Sequence, residues 1–304
     1  MFAPPPELTA DVFTVLPDEL KKNGQASEWS FGKANPDMSS FLEGPSIDRN
    51  GDLLVTDIPF GRVFRVDSGG RFHLITEFDG EPNGLAIHRD GTLYIADHKN
   101  GLMTVDPATG ATSNILRRIR REGFKGLNDA LFDLDGNLYF NDQGQTGMQD
   151  PTGRVYRLRP DGEIDLLVDT VPSPNGMAIS PDGRVLYLAV TRANQIWRLP
   201  LHPDGTTTKV NIFLQLSGGL TGPDGLAIDA DGNLVVCHCG LGAVWVFSPL
   251  GVPLYRIHTP TGLDATAACY GGKDNRTLFI TESSTGSILT VELPTPGAKM
   301  FSHV

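Results

Sequence analysis

Five residues of this 304-residue chain share a chemical property and a sequence offset. Glu43, Asn83, Asn128, Asn175 and Asp224 each carry a side-chain oxygen that can ligate a cation. Each stands eight residues before the glycine of a turn pair: Asn50-Gly51, Asp90-Gly91, Asp135-Gly136, Asp182-Gly183 and Asp231-Gly232. Asp, Glu and Asn make up about one residue in six, so five matches in five exceeds what chance supplies. Carboxylates and amide oxygens together suit a hard cation; calcium takes about six to eight oxygens from such donors and water. Zinc favours His and Cys, and the set has neither. The expected cofactor is therefore one divalent cation, Ca2+ first, with Zn2+, Mn2+ and Mg2+ as alternatives. The competing explanation is local, since Asn and Asp also start strands by bonding their own backbone.

Whether the five oxygens meet depends on the elements that carry them. The turn glycines recur at spacings of 40, 45, 47 and 49 residues. Before each turn lies a short apolar run, such as Leu85-Ala86-Ile87 or Met177-Ala178-Ile179. After each comes a β-rich run, such as Leu93-Tyr94-Ile95 or Leu234-Val235-Val236. Asn-Gly and Asp-Gly tolerate the positive φ that a tight hairpin needs. A third run follows in each unit, as in Arg62-Val63-Phe64-Arg65-Val66 and Ala243-Val244-Trp245-Val246-Phe247, and a sixth, less regular unit contains Thr277–Ile280 and Gly286–Leu289. Repeats of this length with about four strands each predict an all-β, six-bladed β-propeller of four-stranded antiparallel blades around a central channel. Residues 43–295 form the blades of a single domain spanning 1–304. Residues 1–42 supply a closing strand at Val12–Val15 and a candidate lid, Asn23–Phe41, with Trp29 and Phe31. The five oxygen-bearing residues then begin the innermost strands and converge near the axis at one face.

Composition narrows the function. Gly (35) and Pro (22) fit a turn-rich β fold. The net charge of −11 disfavours nucleic acid and anionic membranes as partners. No apolar run is long enough for a transmembrane helix. The first residues lack a basic and an apolar signal region, and three cysteines make no disulfide framework, so the expected location is cytoplasmic. Oligomeric state leaves no signal.

The motifs around the five positions resemble those of the SMP-30/gluconolactonase/LRE-like family, over about residues 40 to 290. The carriers are Glu43-Gly44-Pro45, Gly126-Leu127-Asn128-Asp129, Pro174-Asn175-Gly176 and Pro223-Asp224-Gly225, in that order and spacing. The resemblance implies a six-bladed propeller, a divalent ion held by Glu43, Asn175 and Asp224, with Asn128 contacting the ion or the substrate and counted here as a fourth ligand, and hydrolysis of a small-molecule lactone. It implies catalytic roles for Asp224 and Asn128. Asn83, Asp129 and Gln143 are candidate substrate contacts. Phe140–Gly144 and Pro151–Tyr156 look like the lactonases related to the drug-responsive bacterial protein. Animal-type sugar lactonases carry an Arg two residues before the N-D asparagine; here that residue is Gly126, a departure from the gluconolactone-reading pattern.

Other features have plainer readings. Cys237-His238-Cys239 alternates across a strand and cannot converge on one ion. The Arg117-Arg118-Ile119-Arg120-Arg121 run with Lys125 is a solvated loop or an attractor of acidic substrate. No G-x-S-x-G exists, which disfavours a serine hydrolase. Two alternatives to a lactonase stand at this level: a calcium-dependent phosphotriesterase at the same site, and a non-catalytic binding propeller with a structural cation.

Overall fold

The computed structural model describes residues 3–31, 33 and 36–304. Among the described residues six blade sheets follow one another along the chain, with a separate two-stranded ladder between the second and third. Blade 1 comprises Leu42–Ile47, Leu53–Asp57, Arg62–Val66 and Phe72–Glu77, from the inner to the outer strand. Blade 2 starts at Pro82–Ile87, blade 3 at Leu127–Phe132, blade 4 at Pro174–Ile179, blade 5 at Gly222–Ile228 and blade 6 at Ala265–Gly271. Each inner strand contacts the next, and that of blade 6 returns to blade 1. The fold is a six-bladed β-propeller.

The turn glycines act as their sequence context requires. Gly51, Gly91, Gly136, Gly183 and Gly232 have φ of 84, 92, 86, 70 and 81°. Asp48, Asp133 and Asp229 reinforce three of these hairpins, each Oδ1 accepting the backbone N–H groups two and four residues on. All these turns lie at the end of the inner strands opposite their first residues.

The chain's two ends share blade 6. Asp11–Val15 pairs antiparallel with Ser287–Glu292, Asp11 facing Thr290 and Val15 facing Ser287. Glu7–Thr9 adds in parallel to Pro253–His258, giving blade 5 a fifth strand. Three residues after a run of prolines carry no strand periodicity, so this addition left no sequence signal.

The core lies between blades. Second-strand residues alternate between the two flanking gaps: Leu53 and Val55 pack toward blade 6, and Leu54 toward blade 2. Leu186, Leu188 and Val190 face blade 3, and Tyr187 and Ala189 face blade 5. Both faces of these strands are buried, which explains their near-continuous apolar runs. The same alternation separates Cys237-His238-Cys239. Cys237 joins the core between blades 5 and 6, while His238 Nε2 lies 3.1 Å from the Gly218 carbonyl. All three cysteines are free and buried. No helix among the described residues is long and apolar enough to cross a membrane.

Leu188 is 0% exposed and Leu250 is 87% exposed. Leu188→Ala should therefore cost about 2–5 kcal/mol in chemical denaturation, through lost burial and the cavity left behind. Leu250→Ala should stay within about 0.5 kcal/mol of wild type. Equal effects would contradict a core divided among the inter-blade gaps.

Candidate functional site

The first residues of the inner strands share a break in the ladder. Pairing to the second strand shifts register between Glu43 and Ser46, Pro82 and Leu85, and Leu127 and Ala130. It shifts again between Pro174 and Met177, Pro223 and Leu226, and Ala265 and Ala267. A bulge frees a residue from the pleat and re-aims its side chain. Asn83, Asn128, Asn175 and Asp224 fall inside these breaks, and Glu43 at the edge of one. The sixth position is Thr266, fully buried, with Oγ1 2.7 Å from Ser283 Oγ and 2.9 Å from Thr281 Oγ1. It escaped the sequence reading because the blade 6 turn uses Asn275, at φ 58°, rather than an Asp-Gly pair.

In blades 1, 2, 3 and 6 a two-point clamp holds the residue two positions before the ring residue. In blade 1 the Phe41 N–H donates to Asp57 Oδ1 at 2.7 Å, and the Phe41 carbonyl accepts from the Ile58 N–H at 3.2 Å. Glu81 is held in the same way by Asp97 and the His98 N–H, at 2.8 and 2.9 Å. Gly126 is held by Asp142 and the Gln143 N–H, both at 2.9 Å. Asp264 is held by Glu282 and the Ser283 N–H, both at 3.0 Å. The acid closing the second strand and the residue after it thus fix the entry to the ring. These acids were invisible to the sequence reading, although each ends the β-rich run that follows a turn.

Hydrogen bonds between blades complete the frame. Thr56 Oγ1 donates to the Asn83 carbonyl at 2.7 Å, Thr191 Oγ1 to that of Pro223 at 2.8 Å, and Ser283 Oγ to that of Leu42 at 2.6 Å. Inner strands approach so closely that the residue after the ring position is usually glycine. A Cβ on Gly44 would lie 2.5 Å from the Asn83 carbonyl oxygen, and one on Gly176 2.3 Å from that of Asp224. Blade 3 has Asp129 there instead. Its oxygens accept the N–H groups of Ala130 and, across the blade gap, Met177, both at 2.8 Å. Backbone donors reach both oxygens of this carboxylate, an expected substrate contact, and Asp129 thereby ties blade 3 to blade 4. Gln143, also an expected substrate contact, accepts from Asn128 Nδ2 at 3.1 Å and donates to Ser173 Oγ at 3.1 Å. The Asn128 amide hydrogen is thereby used, and its carbonyl oxygen is left available.

The electrostatics of the ring set it apart. Glu43, Asn83 and Asn128 are 7% exposed and Asp224 8%, and Asn175 is half-buried. Burial pushes Glu43 well above the ordinary carboxylate pKa; the Asp224 charge adds to this and the Gly44 N–H, 2.9 Å away, opposes it. Burial likewise raises Asp224 to about 7, against the opposing pull of the Lys33 charge and the Asn175 amide. Burial also raises Asp129 to about 7, Asp97 to about 6 and Asp57 in the same direction, but these acids hold several close partners. Arg62 Nε sits 2.8 Å from Asp57, and Arg154 Nε 3.0 Å from Asp142. Asp97 accepts the Lys99 and Asn100 N–H groups, and Glu282 that of Thr285. Glu43 and Asp224 have no ion-pair partner among the described residues. Buried charges are ordinarily paired or bound to a metal. Two carboxylates and two amide oxygens form a donor set that fits a hard divalent cation. The described residues contain no cluster of three or more His, Cys, Asp or Glu side chains suited to a metal, so any such site draws on the asparagines.

Comparison with known proteins bears on these positions. The model of the SMP-30/gluconolactonase/LRE-like region matches residues 41–284. A gluconolactonase of Zymomonas mobilis is 31% identical over 272 residues, covering 79% of this chain and 76% of its own. The chain belongs to the SMP-30/gluconolactonase/LRE-like family. The lactonase drp35 of Staphylococcus aureus is 31% identical over 232 residues, covering 72% and 70%. Among solved structures, the calcium-binding protein regucalcin of Agrobacterium tumefaciens superposes with a TM-score of 0.75 at 23% identity, covering 99% of this chain and 98% of its own. That likeness speaks for the fold.

The family motifs now have physical content in this chain. Glu43-Gly44, Asn175-Gly176 and Asp224-Gly225 each pair a ring residue with a glycine that lets the next blade approach. Gly126 is different. A Cβ there would lie 2.3 Å from Cε1 of His98, so the His98 ring from blade 2 fills the space beside Gly126. Asn83 shares the ring with the four proposed ligands. The candidate lid contains a short turn at Glu28–Ser30, with the Trp29 ring 4.8 Å from that of Phe41 and Phe31 92% exposed. Gly32, Ala34 and Asn35 of that segment lie outside the described residues. The arginine run forms a two-stranded hairpin, Arg118–Ile119 against Glu122–Gly123, with its arginines exposed.

A testable pH dependence follows. Without a cation, Glu43 and Asp224 have folded-state pKa values above their unfolded values of about 4, so the native chain binds the extra protons. Their contribution to stability should fall as pH rises from about 4 through about 7. A cation favours the ionised forms, so calcium should raise the melting temperature more at pH 8 than at pH 5. Scanning calorimetry in EDTA and in calcium checks this, and the Glu43→Gln/Asp224→Asn chain should lose the calcium response. An equal calcium effect at both pH values would contradict the assignment.

Proposed function

We propose that this protein hydrolyses a small-molecule lactone with the aid of one divalent cation, calcium first, held by Glu43, Asn128, Asn175 and Asp224. The observation that supports the reading is the pair of buried carboxylates without an ion-pair partner among the described residues, Glu43 feeling the Asp224 charge and Asp224 bonded to the Asn175 amide. The gluconolactonase and lactonase names of relatives about 31% identical supply the reaction class.

When bound, the cation supplies a Lewis acid for the lactone carbonyl oxygen and favours the ionised form of Asp224 at neutral pH. The chain's residues do the rest. Asp224 takes a proton from water as the water oxygen bonds to the carbonyl carbon. The bond from that carbon to the ring oxygen breaks, and Asp224 returns the proton to the departing oxygen. The product is the open hydroxy acid, and the carboxylate is regenerated. Asn128, held through its amide hydrogen by Gln143, and Asn175 present oxygens that fix ion and substrate. Thr266, hydrogen-bonded to Thr281 and Ser283, completes the polar ring beside Glu43 without adding charge.

Glu43→Gln and Asp224→Asn keep the side-chain size and remove one charge each. Both should lower lactone turnover at least about a hundredfold, with the circular dichroism of the fold retained. EDTA should abolish wild-type activity, and added calcium should restore it. Undiminished turnover in either variant, or in metal-free protein, would overturn the reading.

The role of Asp224 is open to a direct test in heavy-oxygen water. A general base leaves the enzyme unlabelled after a single turnover. Direct attack by Asp224 would form an anhydride whose hydrolysis could leave label on the carboxylate. Peptide mass analysis should find no heavy oxygen on the Asp224 peptide; its presence there would make Asp224 the nucleophile.

A further inference from the structure

A cavity of about 150 Å³ lies between blades 5 and 6, at the turn end of the inner strands. Tyr270, which lines it, stands four residues beyond Thr266 on the inner strand of blade 6, about 13 Å further along. The cavity is therefore separate from the axial ring. Val246 and Leu254 reach it from the third and fourth strands of blade 5, and Leu293 from the residue after Ser287–Glu292. Residues 294–298 strap the two blades together beside it. The Ala230 N–H donates to the Pro296 carbonyl at 2.8 Å, the Ala298 N–H to that of Ile228 at 3.1 Å, and the Gly297 N–H to that of Asn275 at 2.7 Å. A Cβ on Gly297 would lie 2.3 Å from Tyr270 Cβ, so the strap packs directly on this tyrosine.

The walls are mostly apolar. Val246 and Leu293 are buried, and the half-buried Tyr255 adds an aromatic ring. Asp229, Asn233 and Tyr270 supply the polar groups. Asp229 Oδ1 accepts the N–H groups of Asp231 and Asn233 at 3.0 and 2.8 Å, and Oδ2 accepts from Asn233 Nδ2 at 2.7 Å. An ionised carboxylate oxygen can accept twice, so Oδ2 has room for one more donor. Tyr270 is 4% exposed, and its buried hydroxyl has no hydrogen-bond partner among the described residues. Buried hydroxyls ordinarily have one. Burial and the Asp229 charge keep this hydroxyl protonated, so it remains a donor.

Volume and chemistry together select an occupant. A cavity of about 150 Å³ takes one benzene ring. Water fills such a space poorly, since it needs about two to four polar partners and most of this wall offers none. A ligand hydroxyl can accept from Tyr270 and donate to Asp229 at once. A carboxylate would be repelled by Asp229, and an ammonium would leave the Tyr270 hydrogen without an acceptor. We propose that this cavity is a ligand site for a neutral single-ring molecule bearing one hydroxyl, such as a monocyclic phenol. The ring lies against Val246, Leu254 and Leu293, and the hydroxyl bridges Tyr270 and Asp229.

Calorimetric titration of the full chain in calcium buffer with phenol, fluorobenzene and benzoate tests the site. Phenol should bind once per chain, about tenfold or more tightly than fluorobenzene, and benzoate should not bind. Tyr270→Phe removes only the unpartnered hydroxyl and should bring phenol down to the affinity of fluorobenzene. Leu254→Trp, which fills the cavity without touching a hydrogen bond, should abolish both. The Glu43→Gln/Asp224→Asn chain should bind phenol as wild type does. Absence of saturable phenol binding, equal affinity for phenol and fluorobenzene, or a phenol preference that survives Tyr270→Phe would overturn the site. Phenol binding that persists in Leu254→Trp, or is lost in the Glu43→Gln/Asp224→Asn chain, would place the ligand elsewhere and overturn it too.

Discussion

A side chain buried at the start of an inner strand in a closed ring of sheets is confined with its equivalents from the other blades. The Gly44 N–H, the Lys33 charge and the Asn175 amide relieve the Glu43 and Asp224 carboxylates only in part. The rest of the molecule is arranged around that confinement. Bulges at the start of each inner strand turn one residue out of the pleat. The clamp on the residue two positions earlier keeps the bulge from relaxing into regular pairing. Glu43 and Asp224 can be held close in this way only because Asp57, Asp97, Asp142 and Glu282 spend their own charges on backbone N–H groups and arginines. The outer acids are held by backbone N–H groups and arginines, whereas Glu43 and Asp224 have no ion-pair partner among the described residues.

That unspent charge works against stability in the metal-free chain. Burial raises the pKa of both carboxylates and the Asp224 charge raises that of Glu43 further, so ionising both near neutral pH opposes folding. A dication reverses the sign of the same interaction. On the proposed reading, folding and ion binding would be linked through these two side chains, while the apolar gaps between blades supply the stability of the ring. Leu188, Val55 and Phe64 lie in those gaps, completely buried and away from the axis.

Much of this was legible in the sequence, because a repeat writes its geometry many times. The Asn-Gly and Asp-Gly pairs gave the hairpins, their spacing gave the blades, and the common offset picked out five ring positions. The sixth, Thr266, was hidden because blade 6 turns on Asn275. The clamping acids were hidden because a carboxylate at a strand end reads as an ordinary polar boundary until its backbone partner, some sixteen to eighteen residues earlier, is known. The cross-blade tie of Asp129 was hidden too: beside Asn128 it reads as part of the chemistry, and only the structure shows its oxygens accepting from Ala130 and Met177. Side-chain direction at a bulge is a tertiary property, and periodicity does not encode it.

The residue after each second strand shows how a repeated frame yields an asymmetric site. Ile58, His98, Gln143, Thr191 and Ser283 occupy that place in blades 1, 2, 3, 4 and 6, and each donates its backbone N–H to the same kind of partner, two residues before a ring position. The frame therefore constrains their backbones equally and leaves their side chains free to differ. Ile58 is buried and inert, Gln143 holds Asn128, Thr191 and Ser283 tie blades together, and His98 fills the space over Gly126. A small ligand on the axis is too large to be contacted alike by six equivalent positions and too small to need them all. Division of labour among these turns lets one fold keep its ring intact while the mouth above it is changed. An Arg at position 126 would project into the space now taken by His98, so acquiring the sugar-contacting pattern would require a change in blade 2 as well as in blade 3.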